Sequence, residues 1–75
     1  MREGMLWFDD EKQVEMKDKV SKAINFFQSK YGQLPHACYV HPLSFDKEII
    51  LDESIKVHPN ARVIKNHIWL EFPEE

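Results

Sequence analysis

His36, Cys38 and His41 fall within six residues of one another, and His58 and His67 follow later in the chain. Imidazole nitrogen and thiolate sulfur are the ligands zinc prefers. The set His36, Cys38, His41 and His67 is therefore the constellation whose atom types match a metal centre, with zinc the implied cofactor. The same residues admit thiol chemistry, in which a histidine takes the proton of Cys38 and leaves a nucleophilic thiolate. His36, His58 and His67 are the candidate bases. Spacing weighs against both readings. Structural zinc sites bring paired ligands close together at two places in a chain, and on an extended segment His36 and Cys38 share a face that His41 does not. No Asn or Asp stands where its spacing marks it as the group that orients a histidine base. Asp9, Asp10 and Glu11 cluster, but capping of a following helix accounts for them. The two glycines, Gly4 and Gly32, make no phosphate loop. No catalytic residue is assigned from the sequence.

Met5 to Phe8 is a short apolar run that suits a strand, and it stops at two aspartates. Asp10 and Gln13 have capping-box spacing, and Asp9, Asp10 and Glu11 place negative charge at the positive end of a helix dipole. From Glu11 to Tyr31, residues Met16, Val20, Ala23, Ile24, Phe27 and Tyr31 recur at steps of three and four, with Val14 and Phe26 flanking the stripe. The spacing predicts an amphipathic helix with Glu15–Lys19 and Asp18–Lys22 pairs on its wet face, stopped by Gly32 and Pro35. Ala37 to His41 reads as a second strand that Pro42 ends. Leu43 to Ser54 reads as a loop with local structure, in which Ser44 to Glu48 could start a helical turn and Ile49 to Leu51 form a brief edge strand. Ile55 to His58 alternates, Pro59-Asn60 is a turn, Ala61 to Ile64 continues extended, and His67 to Phe72 alternates as a last strand. Pro73-Glu74-Glu75 is an acidic end.

The expected fold is a single two-layer α+β domain over residues 1–75. A sheet of about four strands, in the order β-α-β-β-β, carries one long helix on one face. The first two strands are expected to be parallel and joined by a right-handed crossover.

A chain of 75 residues is near the size at which one core only marginally offsets chain entropy. A hydrophobic fraction of 43% nevertheless argues against disorder. The net charge of −3 repels polyphosphate, which disfavours nucleic acid as a partner. One cysteine makes no internal disulfide, which points to a reducing compartment and a cytoplasmic protein. The run from Met5 to Phe8 is too short for a signal-peptide core or a membrane span.

Alternation sorts the strand residues into two sets. Leu6, Phe8, Cys38, Val40, Ile68, Leu70 and Phe72 are expected under the helix, with Met5, Trp7, Tyr39 and Trp69 on the other face. Exposed aromatic clusters mark interaction surfaces. The sequence thus points to a non-enzymatic interaction module that binds a second copy or another protein through Trp7, Tyr39 and Trp69. The competing reading is the metal or thiol site on His36, Cys38, His41 and His67. A third is single-stranded nucleic acid, its bases stacked on the sheet aromatics beside Lys56, Arg62 and Lys65, although no RNP-like motif is present.

Lys30-Tyr31-Gly32 with Pro35, then Cys38-Tyr39-Val40-His41-Pro42, and later Asn66-His67-Ile68-Trp69-Leu70 resemble the motifs of a group of short, uncharacterised bacterial proteins. The resemblance spans most of the chain and implies a compact stand-alone domain. It brings no activity, cofactor or site residue with it.

Overall fold

The computed structural model describes residues 3–45, 49–50 and 55–73. Five strands and one helix follow in the order β1 (Gly4–Phe8), α1 (Met16–Tyr31), β2 (Ala37–Val40), β3 (Ile49–Ile50), β4 (Lys56–Pro59) and β5 (His67–Glu71). They form one mixed sheet in the spatial order β1-β5-β2-β4-β3, with α1 packed on one face. The α+β class with a single helix is as expected, but the pairing is different. β1 does not pair with β2. The last strand, β5, lies between them and pairs antiparallel with both. β1 and β2 therefore run in the same direction without touching, and the hydrogen-bonded parallel pair is β2 with β4. Ile68 and Leu70 of β5 are buried between apolar neighbours on both sides, which favours an interior place for this strand.

α1 begins five residues later than its apolar pattern suggests. Its N-cap is Glu15, which makes no side-chain cap bond, so the expected Asp10–Gln13 box does not form. Asp9 instead accepts a bond from the Glu11 N–H at 3.0 Å, a local turn that competes with helix. Lys19 lies 4.0 Å from Asp9 rather than serving only a helical pair. The far end is as expected: Gly32 adopts φ 73°, and its N–H donates to the Gln28 carbonyl at 2.8 Å. Nothing lies within 4 Å of the place a Cβ would occupy there, so glycine is required by backbone conformation alone.

The core joins Val20, Ala23, Ile24 and Phe27 of α1 to Cys38, Val40, Val57, Ile68 and Leu70 of the sheet, with Ile55 beside them. Phe27 is its largest fully buried side chain and packs against Tyr31 and Phe72, with ring centroids 4.8 and 5.5 Å away. β1 carries a one-residue correction. Met5 pairs with Leu70 and Trp7 with Ile68, so Met5 and Trp7 face the helix while Leu6 and Phe8 face away. Residues 61–64 are also not extended. The Asn60 side chain accepts from the Arg62 N–H at 2.9 Å, and the Asn60 carbonyl accepts from the Val63 N–H at 3.1 Å, which closes a turn. β3 is the brief edge strand expected near Ile49; the helical turn expected from Ser44 and the Leu51 end of that strand reach into residues 46–48 and 51–54, outside the described residues.

Phe27→Ala is expected to cost about 3–5 kcal/mol, because it removes a buried ring from a core that closes only partly around the gap. Gly32→Ala, a backbone penalty with no clash, is expected to cost about 1 kcal/mol. Urea unfolding followed by circular dichroism measures both, and equal costs would contradict this packing.

Candidate functional site

The helix-free face of the sheet is built by the registers of four strands. Leu6 on β1 pairs with Trp69 on β5, Trp69 with Tyr39 on β2, and Tyr39 with His58 on β4. Directly paired residues share a face, so Leu6, Trp69, Tyr39 and His58 form one row across the sheet. The rings of Tyr39 and His58 are 5.6 Å apart. A second row begins with Phe8 beside His67, whose rings are 5.1 Å apart. Among these, Leu6 is 44% and Phe8 57% exposed, so the apolar surface is most open toward β1.

Trp69 is half-buried because its indole lies over Gly4. A Cβ on Gly4 would come within 2.9 Å of Trp69 Cε2 and would collide with the Leu70 carbonyl. Glycine at this position is thus a matter of close approach rather than of unusual dihedrals. The Nε1 atoms of Trp69 and of Trp7 are buried and have no hydrogen-bond partner among the described residues. Each such group costs on the order of 1–3 kcal/mol, which ring packing against Gly4 and Phe26 must offset.

Of the residues expected at an interface, Tyr39 and Trp69 lie on this face. Trp7 lies on the opposite one, stacked on Phe26 with centroids 5.0 Å apart. Sequence reasoning missed Leu6, Phe8 and His58 as members of the surface. Met5, Leu6, Trp7 and Phe8 are all apolar, so alternation within β1 carries no signal, and only the pairing with β5 decides which residues turn outward.

The metal and thiol candidates are not gathered. No group of three or more His, Cys, Asp or Glu with metal-binding geometry exists among the described residues. Cys38 points into the core and is fully buried, whereas His67 is on the helix-free face at the β1–β5 pair. His36 precedes β2, with its backbone N–H donated to the Glu71 carbonyl. His41 accepts the Leu43 N–H at its Nδ1, and His67 donates Nδ1–H to the Lys65 carbonyl at 2.9 Å. Each of these two rings is turned toward its own loop. Burial pushes the Cys38 thiol up to about 12, and a thiol that holds its proton so firmly is a poor nucleophile at neutral pH.

A shallow cleft lies beside the start of α1, lined by Asp9, Lys12, Lys19, Phe45, Lys65 and His67 among others. Its charges are of both signs, and Asp9 is already engaged by Lys19 and the Glu11 N–H. It presents no convergent set of groups for a ligand. No helix among the described residues is long and apolar enough to cross a membrane. Comparison with family models, with curated proteins and with solved structures finds no match to this chain.

The buried thiol sets a pH dependence. Folded Cys38 holds its proton to about 12, whereas in the unfolded chain it ionises near the ordinary value of 9.0. This contribution to stability is complete below 9.0 and is lost as pH rises toward 12, because the unfolded state releases the proton first. Between about pH 8 and about pH 10.5, the wild type is expected to lose about 2 kcal/mol relative to Cys38→Ala in paired urea titrations. A difference between the two proteins that does not change with pH would contradict burial of the thiol.

Proposed function

We propose that this chain is a non-enzymatic protein-interaction module that self-associates, with the helix-free sheet face supplying its contact residues. The observation that carries this reading is the row Leu6, Trp69, Tyr39 and His58 on the sheet face opposite α1, most open at Leu6 and at the neighbouring Phe8. Keeping apolar and aromatic side chains in water costs free energy, and covering a face of this kind lowers it.

Other classes have less support. Thiol catalysis needs an accessible thiolate, and Cys38 is buried and protonated. A metal centre needs converging ligands, and the candidate histidines are turned to separate loops. Stacking of nucleic-acid bases would use the same aromatics, but a net charge of −3 sets the wrong field for a phosphate backbone.

Sedimentation velocity over a range of concentrations is expected to give a reversible dimer with micromolar affinity. Phe8→Ser removes an exposed ring without touching the core and is expected to weaken the dimer at least tenfold, about 1.4 kcal/mol. A wild type that stays monomeric at the highest concentrations, or a Phe8→Ser protein that associates as tightly, would contradict the reading.

A further inference from the structure

β1 stands at the end of the sheet order, and β5 is its sole neighbour among the described strands. The directions of its backbone groups follow from two bonds. The Phe72 N–H donates to the Glu3 carbonyl at 2.9 Å, and the Asp9 N–H donates to the Asn66 carbonyl at 2.8 Å. In an antiparallel ladder, hydrogen-bonded and non-bonded pairs alternate. With the observed register, Glu3, Met5, Trp7 and Asp9 turn their N–H and C=O groups toward β5. Gly4, Leu6 and Phe8 therefore turn theirs outward along the free edge. Natural edge strands are usually protected by a lysine, a proline, a bulge or a covering loop. Gly4-Met5-Leu6-Trp7-Phe8 contains no lysine, no proline and no charge.

Apolar surface flanks this edge on both sides. Leu6 and Phe8 are exposed on the helix-free face, and Phe26, itself 46% exposed, stacks on Trp7 on the helix side. An edge with open backbone groups in its middle and apolar side chains above and below is suited to another strand of the same composition.

We propose that two copies of the chain join through their β1 edges, pairing antiparallel about a two-fold axis at Leu6 to make one continuous sheet. This rests on the self-association read above and narrows its contact to the β1 end of that face, Leu6 and Phe8, with the copies side by side rather than face to face.

The sequence of the strand suits that register. A two-fold axis at Leu6 sets Leu6 against Leu6 of the second copy and Gly4 against Phe8 of the second copy. The three outward-turned residues then all become hydrogen-bonded pairs. The strand's one residue without a side chain meets its most exposed ring, and a cross-strand aromatic is the known remedy for a glycine in an edge strand. That ring arrives beside Trp69, which already lies over Gly4. The row Tyr39, Trp69, Leu6 runs through the seam into Leu6, Trp69 and Tyr39 of the second copy. On the helix side, Met5 meets Trp7 of the second copy. The same register brings Glu3 of the second copy to Asp9, and there the acid is already met by Lys19 at 4.0 Å, with Lys22 lining the same end. A second copy is thus complementary to the edge in hydrogen bonding and in side-chain size, and Lys19 and Lys22 stand at the end where the two acids meet.

Two substitutions separate this geometry from stacking of the two faces. Leu6→Pro deletes the outward N–H at the axis while leaving the bonds to β5 intact, a change tolerated in a monomer at an edge whose N–H faces solvent. Tyr39→Glu alters the centre of the face, two strands from the seam. Sedimentation velocity, with circular dichroism to confirm folding, is expected to show the Leu6→Pro dimer weakened at least a hundredfold and the Tyr39→Glu dimer within threefold of wild type. A folded Leu6→Pro protein that still associates, with association lost in Tyr39→Glu, would overturn the seam and leave the face reading standing. A wild type that does not associate would overturn both. Leu6→Cys supplies a test that does not depend on a proline. In a hydrogen-bonded antiparallel pair the Cα atoms are about 5.5 Å apart, inside the roughly 4.4–6.8 Å that a disulfide spans, and Cys38 is too buried to compete. Mild oxidation is expected to cross-link Leu6→Cys at least tenfold faster than Ile64→Cys, a cysteine at an exposed loop position. Equal rates would overturn the seam.

Discussion

The insertion of β5 between β1 and β2 is the constraint on which the rest of the structure depends. It brings the last strand into the interior of the sheet, so Ile68 and Leu70 meet Met5 and Trp7 on one side and Val40 and Cys38 on the other. The same two residues lie under α1, where Phe27 closes the core. The contacts of Ile68 and Leu70 with Met5 and Trp7 therefore presuppose the pairing of β1 with β5. Such long-range pairing must close a long loop before its contacts form. In so small a domain, no part of the core is independent of this strand.

That constraint also divides the side chains into two environments. The side facing α1 is dry, and it takes up Cys38, the residue with the most reactive chemistry, as a small hydrophobe whose thiol burial keeps protonated. The other side keeps its rings at the surface. Because β5 has odd-numbered residues on that face, His67, Trp69 and Glu71 face away from the helix, and the neighbouring strands align Leu6, Tyr39 and His58 with them. Among the described residues α1 packs on one face only, and β1 at the end of the sheet order sets the exposed Leu6 and Phe8 beside its outer edge.

Much of this was legible in the sequence, for identifiable reasons. The stripe Val20, Ala23, Ile24, Phe27 and the Gly32 stop define α1, because helical periodicity and a left-handed cap are strong local signals. The alternation of Ile68, Trp69 and Leu70 fixes the two faces of β5. Three features were not legible. The start of α1 is displaced because Asp9 satisfies a turn rather than a helix cap, a choice between two local bonds of similar strength. The facing of β1 is undetermined in a run where every side chain is apolar, and it is decided by a partner at the far end of the chain. The place of β5 between β1 and β2 is the third, since pairing between distant segments leaves no mark in local alternation.

In the proposed dimer the outward-turned backbone groups of β1 meet a second copy while its inward-turned groups meet β5. Amide hydrogen exchange, residue by residue and as a function of protein concentration, tests this most directly. Met5 and Trp7 should exchange slowly at every concentration, whereas Leu6 and Phe8 should pass from fast to slow exchange as the concentration rises. Exchange at Leu6 that stays fast at all concentrations, or is slow already in the most dilute sample, would contradict it.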